Sequence, residues 1–258
     1  MTIDTAGTAP AQPVVPAAPR KSFFERMTGV FFSPDETFAD IARKPDILVP
    51  LIVLTLITIV STVLVVPYFD MDAMIAQQAE MIQKQNPNVS DSDIERMGRI
   101  TKAMGKVAGY LAPLFMLIGY VLIALVLWGA FRLMGGAGDF KQSLSTVLYA
   151  YFPRILLGGI IGTVIIMMRG SIDPQEAQAV MMTNPAFLVD YKEQPVLFAL
   201  LASLDIFIIW TIFLLATGFS KVSKFSKGKS AAIIVVLYLV TVVLKVGMAA
   251  VGAARMKG

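Results

Sequence analysis

The sequence predicts an all-α fold, a polytopic membrane helix bundle with five transmembrane spans plus short amphipathic helices. Two observations lead to this prediction. The 258 residues are 56% hydrophobic and only 16% charged, with a mean hydropathy of +0.71, whereas a soluble domain is nearer half apolar and a quarter charged. The apolar residues also fall in separate runs of about 20, the length that a helix needs to cross a bilayer.

Prolines, glycines and charged clusters bound each apolar run and so set the limits of the spans. The five spans are expected at residues 47–66, 107–131, 144–168, 196–219 and 231–251. Between the first two, residues 68–105 are polar but keep apolar side chains at helical spacing, which predicts a helical extramembrane segment. Residues 46–252 are therefore expected to form one membrane domain.

The chain before the first span divides into two parts. Residues 1–20 contain four prolines and no continuous apolar run, a composition that predicts a disordered tail. Residues 21–45 are expected to form amphipathic, pre-membrane helices. In residues 21–32, Phe23, Phe24 and Val30 share one helical face and Arg26 lies on the other, so this helix either lies in the membrane surface or packs on the protein itself.

A second short helix is expected to start at Ser33. Ser33 can cap it, Pro34 suits its first position, and Glu36 completes a capping box. The helix should end before Pro45, since the residue that precedes a proline disfavours the helical conformation. It is either a docking site or a short pre-membrane helix that sets the angle of entry into the bilayer.

Three ionisable residues lie within the predicted spans: Arg154, Asp205 and Lys245. Each such charge costs about 2.5–3.5 kcal/mol to insert, so it normally faces the bundle interior and finds a partner. Residue counts put Arg154 and Asp205 near the same depth, with Lys245 nearer the outer side. The cluster is either a structural charge pair between spans three and four or a polar site for an ion, a lipid headgroup or a proton.

The third span carries two further features beside Arg154. Pro153 removes a backbone donor in the middle of the helix. Gly158 and Gly162 form a GxxxG face that lets another helix approach closely. We expect this face to serve packing within the bundle, with homodimerisation as the alternative.

Composition excludes several chemistries. The chain has no cysteine and no histidine, which removes disulfides, thiolate and imidazole metal sites, cysteine nucleophiles and histidine bases. The predicted spans contain no paired carboxylates. The sequence therefore predicts no enzyme, no cofactor and no metal site. The net charge of +4 comes without a long basic run, so nucleic acid is not an expected partner.

The distribution of lysines predicts the orientation. Residues 220–229 carry four lysines and no acidic residue in a short loop, and such loops stay in the cytoplasm. We therefore expect a bacterial cytoplasmic membrane protein with its N-terminus in the cytoplasm and its C-terminus outside.

The arrangement resembles the Yip family of membrane proteins, named for interaction with Ypt/Rab GTPases, and its bacterial branch in particular. The matching features are a Ser-Pro-x-Glu-x-Phe start at Ser33, Pro50 inside the first span, and a glycine turn that leads into Tyr149, Ala150 and Pro153. Five spans with almost no C-terminal tail complete the match, which covers about residues 22–250.

The resemblance implies a cytosolic N-terminus, five spans and assembly with other membrane proteins; eukaryotic members are linked to vesicle trafficking. The Asp-Leu-Tyr-Gly-Pro signature of those members is absent here, which argues against GTPase binding. The expected function is a non-enzymatic membrane scaffold that binds the bilayer and other membrane proteins or itself. The alternative is a small transporter or channel with a polar site around Arg154 and Asp205.

Overall fold

Five helical segments are long and apolar enough to cross a membrane. A computed structural model describes residues 20–174 and 176–257. Within them the five segments are Leu48–Tyr68, Asp91–Leu133, Phe140–Arg169, Ile206–Ser223 and Lys227–Ala254. The described residues form no β-strand, so the prediction of an all-α membrane bundle is confirmed. The disordered tail predicted for residues 1–20 lies outside the described residues, except for Arg20.

The described α-helices are numbered here in chain order. They are α1 Phe23–Phe32, α2 Pro34–Arg43, α3 Leu48–Val65, α4 Met71–Gln85, α5 Asp91–Leu133, α6 Phe140–Pro153, α7 Gly159–Arg169, α8 Pro195–Leu201, α9 Ile206–Ser223 and α10 Lys227–Lys257. A π-helical turn, Arg154–Gly158, joins α6 to α7. The five spans run in alternating directions, so the chain ends lie on opposite faces of the bundle. We call these the N-terminal face, which holds α1 and α2, and the distal face, which holds α4.

The two N-terminal helices pack on the protein itself. Val30 of α1 and Phe38 and Ile41 of α2 are fully buried in the main core with α6 and α9. This contradicts the expected position of Arg26 on a polar face, because Arg26 is also fully buried. Periodicity failed here because α1 is enclosed on more than one side.

Capping differs from the prediction at one of these helices. α2 begins at Pro34 as expected, but the Ser33 side chain makes no capping hydrogen bond. The reciprocal box forms one helix earlier, where Ser22 Oγ accepts from Glu25 N and Glu25 Oε2 accepts from Ser22 N. Ser33 is the single residue between the two helices, and its backbone N–H donates to the Gly29 carbonyl at the end of α1.

The longest helix, α5, extends well beyond the bilayer. Its 43 residues span ~65 Å at 1.5 Å per residue, about twice the thickness of the hydrocarbon core. On the distal face α4 runs back along it, held by an ion pair of 2.7 Å between Lys102 Nζ and Asp72 Oδ1. The close approach of the two helices needs Gly98 and Gly105, which face Ile75 and Met71. α4 and the first half of α5 therefore form a helical hairpin from the segment that is expected to lie outside the membrane.

The predicted fourth span, residues 196–219, is wrong as a single helix. α8 ends at Leu201, and α9 begins only at Ile206 and reaches Ser223. The physical reason is Asp205, whose side chain accepts backbone N–H bonds and so starts a new helix. Only α9 is then long enough to count as a span.

Candidate functional site

The middle of the third span contains an irregular turn at its charged residue. α6 ends at Pro153, and Arg154–Gly158 form a π-helical turn before α7. A proline has no N–H, and its ring clashes with the carbonyl four residues earlier, so the regular ladder cannot continue through it. Single π turns inside α-helices occur frequently at functional sites. Arg154 is therefore presented from a locally widened helix.

Arg154 lines a cavity of about 460 Å³ among α5, α6, α9 and α10. It stands at the middle of the 30-residue segment Phe140–Arg169, which puts it near the midplane of a bilayer core about 30 Å thick. Most of the wall is aliphatic. The other polar lining side chains are Tyr151, Thr211, Tyr238 and Thr241. The cavity is thus an apolar space with one permanent charge.

Asp205 is the N-cap of α9 and has four hydrogen-bond donors of its own. Its Oδ1 accepts from Phe207 N at 2.8 Å and Ile208 N at 3.2 Å. Its Oδ2 accepts from Thr183 Oγ1 at 2.5 Å and Asn184 Nδ2 at 3.2 Å. The carboxylate is 93% buried, since only 7% of the residue is exposed. Asp205 therefore ties the start of α9 to the segment that precedes α8.

The ion pair predicted between Arg154 and Asp205 does not form. Within the described part of the chain the Arg154 guanidinium has no hydrogen-bond or ion-pair partner. Asp205 caps the start of α9, where the prediction placed it inside a helix, so its side chain is committed to backbone and loop donors. Lys245, which could have joined it, donates instead to Gln178 Oε1 at 3.0 Å. The described residues therefore show no hydrogen bond or ion pair among the three predicted charges.

The glycine face of the third span contacts a side chain from the distal segment. A Cβ added at Gly158 or Gly162 would meet the side chain of Met181, at 3.7 and 3.3 Å. The intervening Gly159 lies against Ser61 of α3. The GxxxG pair thus faces Met181, while its neighbour Gly159 permits the approach of another span. Pro153 lies directly before the π turn, as described above.

Sequence reasoning missed a buried ion cluster on the N-terminal face. Arg26 Nε and Nη2 donate to Asp40 Oδ2 at 2.9 and 2.7 Å, and Nη1 donates to Asp46 Oδ1 at 2.5 Å. Nη2 also donates to the Lys44 carbonyl at 2.9 Å. From the third span, the Tyr149 hydroxyl donates to Asp46 Oδ2 at 3.2 Å. This cluster connects α1, α2, the start of α3 and α6.

Arg26 is a buried charge, and the carboxylates of Asp40 and Asp46 compensate it. Burial by itself lowers the pKa of Arg26, but the hydrogen bond to Asp40 and the charges of Asp46 and Asp40 outweigh it and raise that pKa above its ordinary value. Asp40 stands one residue before the core residue Ile41 and so on a neighbouring side of α2, and periodicity alone does not mark it as buried. A buried charge needs a partner. The spacing alone could not name Arg26 as that partner.

A second set of ion pairs joins α2 to the end of α9 and to the start of α10. Asp35 accepts from Lys221 Nζ at 3.0 Å and Lys227 Nζ at 2.5 Å. The hydrogen bonds from Lys227 and Lys221 lower the pKa of Asp35 below its usual value. Next to these pairs lies an open cavity of about 680 Å³ whose charged lining residues are Lys21, Glu36, Arg43, Lys221 and Lys224.

None of these arrangements resembles an active site. No group of three or more histidine, cysteine, aspartate or glutamate side chains that could hold a metal occurs among the residues that the structure describes. Several of these charges lie in helix caps and in ion pairs between helices, whereas Arg154 has no hydrogen-bond or ion-pair partner among the described residues. This arrangement can bind and position a ligand within the bilayer at Arg154 or a partner along the surfaces of the long helices.

Comparison with known proteins identifies the family. The Yip1 domain matches residues 28–250 of the chain. The membrane protein YknW of Bacillus subtilis (strain 168) is 26% identical over 219 residues, which cover 83% of this chain and 86% of that protein. No solved structure matches the chain. The matched region includes α2, all five spans and the glycine turn, and the chain accordingly belongs to the Yip1 domain family of membrane proteins.

Proposed function

We propose that this protein is a non-enzymatic membrane scaffold that binds helices of other membrane proteins. The observation that carries the proposal is an unpaired apolar stripe on α5. Its members alternate at spacings of three and four residues, each at least 42% exposed. They are Met97, Ile100, Met104, Val107, Leu111, Leu114, Ile118, Val121 and Leu125. Such a strict heptad stripe, sustained over about four heptads, is the pattern of a helix–helix seam.

The stripe matters most where it leaves the bilayer. Inside the membrane, exposed aliphatic side chains contact lipid and need no partner. Met97, Ile100 and Met104 lie instead between Arg96, Arg99, Lys102 and Lys106, in the part of α5 that extends outside. α4 does not cover them, because it contacts the opposite side of the helix at Gly98 and Gly105. A partner helix that crosses the membrane and continues outside it would cover the whole stripe.

The orientation and location form part of the proposal. The N-terminal face carries Lys221, Lys224, Lys227 and Lys229, so we place it in the cytoplasm of a bacterial cell. The hairpin of α4 and α5 and the C-terminus then lie outside. The bacterial relative supports the assignment to a bacterial cytoplasmic membrane. A GTPase is not the proposed partner, because the Asp-Leu-Tyr-Gly-Pro signature is absent.

The test is a comparison of partners captured by two matched variants. The full chain would be purified from gently solubilised native membranes as wild type, as Ile100→Glu/Met104→Glu and as Arg96→Glu/Arg99→Glu, with quantitative mass spectrometry of the bound proteins. Both variants exchange two exposed residues on the same stretch of α5, but only the first disrupts the stripe. We expect specific membrane proteins to be lost from the first and kept by the second.

Two results would contradict the scaffold. The stripe variant could retain every protein that the wild type binds, or both variants could lose the same proteins equally. If the stripe variant no longer binds a second copy of the chain, as measured by co-purification of two differently tagged forms, the stripe serves self-association instead.

The transporter or channel alternative retains one supporting observation. Arg154 lines an intramembrane cavity, but Asp205 no longer contributes to a joint polar site, because it caps α9. Reconstituted flux that Arg154→Gln abolishes and Asp205→Asn leaves intact would support this alternative over the scaffold.

A further inference from the structure

The cavity around Arg154 has the chemistry of an anion site. Near the bilayer midplane an arginine is costly unless a hydrogen-bond acceptor compensates it. No described residue supplies one. Asp205, the acidic residue expected to pair with Arg154, is committed to four other donors. The guanidinium therefore needs an acceptor that the protein does not provide.

The other polar groups in the cavity wall are neutral hydroxyls, so none of them neutralises the charge of Arg154. Tyr238 Oη donates to the Ser203 carbonyl at 2.6 Å, and Thr211 and Thr241 donate to the carbonyls of Phe207 and Tyr238 at 2.7 Å each. The Tyr151 hydroxyl has no hydrogen-bond partner in the described part of the chain. It is thus available, with Arg154, to donate to a bound anion.

A second observation supports a ligand near this point. The Tyr120 hydroxyl is buried without any hydrogen-bond partner, and its ring packs edge-to-face on Tyr151 with centroids 5.4 Å apart. Buried hydroxyls are nearly always satisfied in native proteins, so each exception needs an explanation. Its phenolic group lies close enough to Arg154 to be influenced by that charge. An anion held at Arg154 would accept a hydrogen bond from Tyr151, on whose ring Tyr120 packs.

The shape of the cavity limits what the anion can belong to. Leu122, Val126 and Val240 line it and are more than half exposed, so it opens sideways into the lipid between α5 and α10. Its volume, about 460 Å³, falls within the range of about 300–1,000 Å³ that holds a small organic ligand. Phospholipid headgroups lie at the membrane surface, ~15 Å from the midplane. A molecule with one alkyl chain and a polar headgroup small enough to enter the bilayer core fits better than a bilayer phospholipid.

We propose that this cavity binds a long-chain carboxylate, a free fatty acid. Its carboxylate accepts a bidentate pair of hydrogen bonds from Arg154, the arrangement for which a guanidinium is best suited, and a further one from Tyr151. Its alkyl chain passes between Leu122, Val126 and Val240 into the bilayer. The site is independent of the proposed scaffold surface, because the stripe on α5 and these lining residues occupy different positions on the helix.

The test measures binding of radiolabelled palmitate to the full-length protein in detergent micelles. Wild type should bind it saturably, and Arg154→Gln should bind it at least about tenfold more weakly, the factor that one charge-assisted hydrogen bond contributes. A matched pair on α10 tests the cavity itself. Val240→Trp fills the lining and should lose binding. Val243→Trp, three residues further on and 69% exposed to lipid, should keep it.

Competition with two further ligands defines the headgroup. Methyl palmitate has the same chain without the charge, and lysophosphatidic acid carries a phosphate in place of the carboxylate. We expect neither to displace palmitate. The proposal is overturned if the ester competes as well as the acid, if the lysophospholipid competes better, or if the two tryptophan variants bind equally. Both tryptophan variants retain Arg154. The comparison between them therefore still tests the cavity if Arg154→Gln fails to fold.

Discussion

Two arginines of this chain show what a buried charge requires. Arg26 is fully buried and has a carboxylate on either side, in Asp40 and Asp46. Arg154 lies in a cavity without any acceptor among the described residues. The same side chain is therefore structural in one place and available for a ligand in the other. The difference depends on which acidic residues the fold brings near, and not on depth or hydropathy.

The first prediction concerns the buried cluster. Replacing Arg26 by Met leaves Asp40 as a buried charge without its main partner, which costs about 3–5 kcal/mol. Arg43→Met is the control, because Arg43 also lies beside Asp40, at 3.5 Å, but is 56% exposed and should cost at most about 1 kcal/mol. Reversible unfolding in mixed micelles would measure both. Equal losses for the two variants would show that Arg26 is not the principal partner of Asp40.

The second prediction concerns Asp205. Asp205→Ala removes the cap of α9 and leaves the Thr183 and Asn184 donors unpaired, so a loss of about 2–3 kcal/mol is expected. Asp205→Asn keeps an acceptor for the backbone and should cost about half as much. If Asp205 paired with Arg154, the double variant Asp205→Ala/Arg154→Gln would be less damaged than the sum of its parts. We expect additivity within about 0.5 kcal/mol in unfolding measurements.

At the scale of elements, the bundle is tightest where α9 crosses α2 and α6. A Cβ at Gly218 would lie 2.8 Å from Phe38 Cδ1 and would also clash with the Thr146 side chain. α2 can approach the spans because this position has no side chain. The N-terminal helices are thereby part of the core and not a separate membrane-surface layer.

A third prediction follows from that crossing. Gly218→Ala overpacks a fully buried contact and should destabilise the protein by about 1–3 kcal/mol. Gly247→Ala on α10 is the control, since nothing lies within 4 Å of its added Cβ, and it should be neutral or stabilising by up to about 1 kcal/mol. Thermal unfolding of both variants in the same detergent gives the comparison. If Gly218→Ala leaves the stability unchanged, the Phe38 side chain moves enough to make room for the added methyl group.

A fourth prediction uses pH to test the link from α2 to the end of α9 and the start of α10. Because Lys227 and Lys221 lower the pKa of Asp35 in the folded protein, their contribution is present above the unfolded pKa of about 3.9. It is lost as the pH falls through the folded pKa. Asp35 is 46% exposed, so the contribution is at most about 1 kcal/mol.

Asp35→Asn should therefore remove part of the acid sensitivity. Between pH 7 and pH 3 the wild type should lose slightly more stability than Asp35→Asn, and high salt should reduce the difference. Glu36→Gln, on the same turn but 78% exposed, should behave like the wild type. An unchanged acid response in Asp35→Asn would show that this link does not stabilise the folded state.

At the scale of the whole molecule, the two faces of the bundle differ in charge and in shape. The N-terminal face is compact and lysine-rich, and the distal face extends outward through the hairpin of α4 and α5. An odd number of spans places the chain ends on opposite faces. A scaffold with this shape would present its helical hairpin on one side of the membrane only.

The fifth prediction tests which side that is. The chain has no native cysteine, so a single introduced thiol can be labelled without background. In intact cells a membrane-impermeant maleimide should label Lys84→Cys, on the distal hairpin, and should label Lys224→Cys only after the membrane is permeabilised. The reverse pattern would place the N-terminus outside.

The sequence alone determined the class of this protein, because hydropathy and run length depend on composition and not on contacts. It also indicated the start of α2 at Pro34 and the helical character of residues 68–105, which local residues specify, but it missed the start of α9. It could not predict the partner of any charge. Asp205 looked like a mid-span residue until the break between α8 and α9 made it a cap, and Arg26 looked exposed until α2 enclosed it. Those outcomes depend on which distant segments meet, and only the tertiary structure decides that.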